Sequence, residues 1–97
     1  MRKAKASREG RTRKLERDEY VGLRNALSAA IEKSGLSQRE VSKRLGMQSS
    51  YVNKILKGNR TLDYVELLDL ANVIGISPLT LLKQALQEVS PTKKWQE

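Results

Sequence analysis

Ser37-Gln38-Arg39-Glu40-Val41-Ser42-Lys43-Arg44-Leu45-Gly46-Met47-Gln48-Ser49-Ser50-Tyr51-Val52-Asn53-Lys54-Ile55-Leu56-Lys57-Gly58 is the stretch that decides the fold. Two short apolar-periodic segments meet here across a brief turn containing glycine, the pattern of a helix-turn-helix running from about Ser37 to Lys57. Ser37 with Glu40 three residues later reads as a capping box opening the first of the two helices. Val41 and Leu45 face inward. Gly46 takes a turn conformation that a Cβ would resist. Ser42 sits where the two helices come closest, so it must be small, and Met47 is expected to plug the turn into the core. The second helix is expected to start at Gln48 or Ser49 and end near Lys57, burying Val52, Ile55 and Leu56. Its remaining residues, Ser49, Ser50, Tyr51, Asn53, Lys54 and Lys57, are polar and none is acidic. An exposed helix face of that chemistry suits the major groove of DNA.

The flanking sequence supplies three further helices. A first helix is expected from about Asp18 to Ser34, with Tyr20, Leu23, Leu27, Ala30 and Ile31 on one face and Gly35 as its stop. A fourth opens at Asp63 with Glu66 at the capping-box position and ends at Gly75. A fifth starts with Ser77 as N-cap and Pro78 as its first helical residue, and runs to about Ser90 before Pro91. The expected architecture is an all-α, five-helix domain over 18–90, with a basic arm over 1–17 and a short tail over 91–97. Trp95 in the tail reads as a loose packing contact ahead of a partner anchor.

Composition agrees. Ninety-seven residues favour one domain, and a sequence without Phe must build an aliphatic core. Without cysteine there is no disulfide or thiolate metal site, and without histidine the commonest general base and metal ligand are missing. No enzymatic activity, cofactor or metal is therefore expected. No apolar run reaches 18 residues, and no apolar segment follows the basic N-terminus, so a cytoplasmic location is expected.

The net charge is +8, which suggests a polyanionic partner. Residues 1–17 carry a net +6 and residues 36–60 a net +5, so the positive charge lies in two places. The arm has three readings: wrapping DNA, adding non-specific affinity by counterion release, or playing no part.

The stretch from about Asp18 to Leu86 resembles the Cro/phage-repressor type of helix-turn-helix domain, the XRE family, over roughly 70 residues. The resemblance rests on Ser37-Gln38, Ser42, Leu45-Gly46-Met47, Val52, Ile55, Gly58, Leu70-Ala71, Ile74-Gly75-Ile76-Ser77 and Leu81-Leu82. Ser42 departs mildly from the family's usual Ala.

The resemblance implies a transcriptional regulator of bacterial or phage type that binds double-stranded DNA. Ser49, Ser50, Asn53 and Lys54 would meet base edges. Gln38, Arg39, Lys43, Tyr51, Lys57, Asn59 and Arg60 would hold the DNA backbone, with Gln38 also bracing the second helix of the motif. Competing readings are a helix cap for Ser49, core packing for Tyr51 and a plain surface residue for Gln38. A repressor binding a palindromic operator as a homodimer is expected, with Leu79, Leu82, Leu86 and Val89 of helix five as the dimer surface. The alternative is an antitoxin that binds a toxin protein and represses its own operon.

Overall fold

The computed structural model describes residues 16–87. Five α-helices follow one another: α1 Asp18–Ser34, α2 Gln38–Arg44, α3 Tyr51–Leu56, α4 Tyr64–Ile74 and α5 Pro78–Gln87. There is no strand among the described residues, as the aliphatic composition led us to expect. The expected end of helix five at Ser90, most of the arm, Val89 and the tail with Trp95 lie outside the described residues.

Local sequence sets the helix limits. Arg17 is the residue that caps α1, its carbonyl accepting from the N–H groups of Tyr20 and Val21 at 3.0 Å each. The folded part thus includes the last residue assigned to the arm. Gly35 and Gly75 end α1 and α4 in the left-handed conformation, at φ 82° and 87°, where a side chain would be strained. Leu36 then folds back, half-buried, onto the core. At α4 both halves of the capping box form: Asp63 Oδ1 accepts from Glu66 N at 2.8 Å, and Glu66 Oε1 accepts from Asp63 N at 3.0 Å. Ser37 makes only its own half at α2, accepting from Glu40 N at 3.0 Å. The Glu40 carboxylate turns the other way, to Arg44 Nε one turn along at 2.9 Å, where an opposite charge attracts it.

The most extensive helix contact is between α1 and α5, and α2 packs chiefly on α3. Leu27, Val41, Val52, Leu70 and Leu81 form the centre of the core, each at most 2% exposed. Every helix thus contributes a deeply buried aliphatic side chain. At roughly 1.5–3 kcal/mol per fully buried aliphatic side chain, these contacts hold short helices that would not persist alone. Tyr20 ties α1 to the loop between α3 and α4. Its hydroxyl donates to Leu62 O at 3.0 Å and accepts from Leu62 N at 3.1 Å, satisfying both backbone groups of one residue. That loop carries Asn59 and Arg60, so the tie anchors their segment to α1.

Candidate nucleic-acid interface

Gly46, at φ +74°, turns the chain out of α2. Ser42 O then accepts from Leu45 N at 3.2 Å and from Met47 N at 3.0 Å, closing the turn through backbone bonds. The Met47 side chain is 41% exposed. This corrects the expectation that Met47 plugs the core: hydrogen bonds to Ser42 close the turn, and its side chain is left at the surface. Met47 instead lines two shallow depressions on either side of the turn, of about 480 and 410 Å³. Arg39, Lys43 and Ser49 line the first with it, and Ser50 and Lys54 the second.

The helix α3 starts at Tyr51, two or three residues later than its sequence suggests. Ser49 and Ser50 occupy the turn before it, with Tyr51 N donating to Gln48 O at 2.9 Å. Neither serine spends its hydroxyl on capping in the way expected for Ser49: Ser50 is the cap residue, and its side chain makes no cap hydrogen bond. The first turn of α3 is satisfied from outside. Ser42 Oγ, on α2, accepts from Val52 N at 3.1 Å and donates to Gln38 O at 2.9 Å. Ser42 is fully buried. Its hydroxyl is therefore a cap supplied by one helix of the motif to the other, beyond the small volume that the sequence reading required.

A second bridge lies nearer the surface. Asn53 Nδ2 donates to Gln38 Oε1 at 3.1 Å, so Gln38 braces α3 as the resemblance implied. The Gln38 amide keeps its own N–H donors for another partner. Asn53 is half-buried by this contact.

The charge divides sharply. Arg44 is paired with Glu40, and Arg60 with Glu66 at 2.6 Å. Arg39, Lys43, Lys54 and Lys57 are exposed and in no ion pair among the described residues. Asn59 is exposed in the loop beyond Lys57. Gly58, between them, sits at φ +79°, where a Cβ would also approach the Arg24 guanidinium to 3.3 Å. The loop thus passes close to Arg24 of α1 at this point.

Tyr51 is only 7% exposed, with its ring in the core. This replaces the expectation of a phosphate contact with the competing reading of core packing. Tyr51 lies next to Val52 and four residues before Ile55, so helical spacing places it on the face that α3 buries. The Arg60 guanidinium stacks over the ring, 4.9 Å from its centroid. Burial foremost, then a hydrogen bond and charge at Glu66, push the Tyr51 phenol up to about 12, with Arg60 opposing and Asp63 adding slightly. A phenol whose proton is held more tightly in the folded state stabilises the fold fully below pH 10, and this contribution is lost as pH rises toward about 12. Spectrophotometric titration should show one tyrosine resisting ionisation until about pH 12. Tyr51→Phe should remove that signal and flatten the fall in stability above pH 10; an unchanged profile would contradict this environment.

Residues 27–81, more than half of the chain, match the helix-turn-helix family model. Among solved structures, the chain is similar to an XRE-family like protein from Pseudomonas syringae pv. tomato str. DC3000. The identity is 28% and the TM-score 0.66, over 93% of this chain and 100% of the other. No curated protein matches the sequence. The matched span takes in the whole of α2, the turn and α3, the elements that assemble the exposed cations and hydroxyls. The chain belongs to the XRE-type helix-turn-helix family, whose members are DNA-binding transcriptional regulators.

Proposed function

We propose that the protein is a repressor that binds a palindromic operator as a homodimer, with α3 presented to the major groove. The observation that carries this reading is the surface around the turn. Arg39, Lys43, Lys54 and Lys57 are exposed and in no ion pair among the described residues; Arg39 and Lys43 share one depression with Ser49, and Lys54 shares the other with Ser50. Ser49, Ser50 and Lys54 supply the base-edge contacts, Lys54 donating to guanine O6 or N7. Asn53 adds a donor or acceptor from an amide already oriented by Gln38. Gln38, Arg39, Lys43, Lys57 and Asn59 hold the phosphates. Two serines discriminate bases weakly, so Lys54 and the shape of the DNA carry much of the specificity.

One α3 in one groove falls short of the affinity that genomic competition demands, which favours two half-sites about one helical turn apart. Leu79, Leu82 and Leu86 are exposed at helical spacing on α5, Leu79 to 77%, and form the apolar surface for the second copy. The protein's place is in the cytoplasm with the DNA. No single helix among the described residues is long and apolar enough to cross a membrane.

Selecting bound duplexes from a random pool tests this reading. A two-fold symmetric site with half-sites about 10 base pairs apart is expected. Lys54→Ala should relax the preference at one position of each half-site, by roughly 1–3 kcal/mol of discrimination. An asymmetric site, or a pool that is not enriched at all, would overturn the proposal.

A further inference from the structure

The sequence suggests Arg60 as a phosphate contact, but its part-exposed guanidinium is already engaged by groups of the protein itself. Arg60 Nη2 donates to Glu66 Oε2 at 2.6 Å, and Nη1 to Thr61 O at 3.1 Å. The planar group stacks over the ring of Tyr51, the first residue of α3. Glu66, on α4, uses its other oxygen to accept from Asp63 N. One guanidinium thus joins the first turn of α3, the loop carrying Asn59, and the start of α4.

We infer that Arg60 is a positioning residue: acting through Tyr51 and Glu66, it sets the angle at which α3 meets the backbone-holding loop, and it does not contact phosphate. The inference rests on the DNA-binding reading above. Moving Arg60 out to a phosphate would break the ion pair and strip the Tyr51 ring of its cation. It would also leave the Glu66 carboxylate unpaired beside a polyanion, at a Coulombic cost that offsets the phosphate contact. The role needs a flat group with several fixed donors, which arginine has and lysine lacks. Helical spacing does not disclose it, because Arg60 and Glu66 lie on opposite sides of the α4 cap.

The test compares Arg60→Lys, Arg60→Gln, Glu66→Gln and the Arg60→Gln/Glu66→Gln double variant. Binding is measured to a duplex selected by the wild-type protein and to its scrambled counterpart, across a salt series, at a temperature where circular dichroism shows every variant folded. Each single variant, Arg60→Lys included, is expected to narrow the ratio of the two affinities about tenfold, the size of coupling typical of contacting groups. The double variant should be no worse than Arg60→Gln alone, and the salt slope of Arg60→Gln should stay at the wild-type value. In the free protein, Arg60→Lys should shift the amide resonances of residues 51–54.

Full retention of binding by Arg60→Lys, with a slope reduced by about one in Arg60→Gln and tighter binding by Glu66→Gln, would overturn the inference in favour of a phosphate contact. Variants that lose thermal stability but keep the affinity ratio would overturn it in favour of a purely structural pair. If the wild-type protein selects no duplex, the operator reading fails, and the amide shifts of the free Arg60→Lys protein then decide the positioning role alone.

Discussion

Ser42→Val is expected to destabilise the domain by about 2–6 kcal/mol, combining a stranded buried donor with overpacking of a closed helix junction. Ser42 is fully buried, and its Oγ is the partner of Val52 N at the start of α3. Valine offers no acceptor to that N–H and brings an extra methyl into the closest approach of α2 and α3. Small domains have about 5–15 kcal/mol of stability in all, so the loss is a large fraction of the total. Ser42→Ala separates the two causes. It removes the acceptor without adding volume and should cost about 1–3 kcal/mol. Denaturant unfolding of the three proteins measures both steps. A wild-type midpoint for Ser42→Ala would mean that the hydroxyl contributes nothing net, and that only the small volume matters.

Arg39→Gln/Lys43→Gln/Lys57→Gln should reduce the salt slope of DNA binding by nearly three and weaken binding at physiological salt by roughly a hundredfold, since each phosphate neutralised contributes about 0.9 to the slope. The fold should be little affected, because these side chains are exposed and their surface charges stabilise it by a few tenths of a kcal/mol at most. The loss should be nearly equal on selected and scrambled duplexes, in contrast to Lys54→Ala, because phosphate contacts carry no sequence information. Fluorescence anisotropy over a salt series supplies the slope. A slope that fell by one or less would mean that two of the three cations point away from the DNA.

Those residues stand apart because the structure sorts the positive charge that the sequence only totals. Residues 36–60 look uniformly basic, yet Arg44 and Arg60 are neutralised by Glu40 and Glu66. The first pair joins residues four apart on one helix, where the sequence alone assigns Glu40 to the capping box. The second spans a loop and a helix cap, and only the folded loop brings it together. Helix limits were legible where a single residue decides them: Gly35, Gly75 and the Asp63–Glu66 capping box all act as expected.

The start of α3 was not legible. No side-chain cap of its own marks it, and its donor is satisfied by Ser42, ten residues away. Tyr51 shares the buried face of α3 with Val52 and, four residues on, Ile55, and its ring lies in the core and not on the DNA-facing surface. Met47 moved the other way, because Gly46 and the backbone bonds to Ser42 close the turn without its side chain. Gln38 was the gain: its bracing of α3 was anticipated, and the bond to Asn53 shows how.

The central claim is that DNA is read by the turn and α3, with phosphates held by α2 and by the loop after α3. Titrating the isotope-labelled protein with a selected duplex and following its amide resonances tests this most directly. The largest changes are expected at residues 37–39, 43, 49–54, 57 and 59, with α4 beyond its first turn unmoved. Changes concentrated on α4 or α5, with residues 49–57 unmoved, would contradict the account.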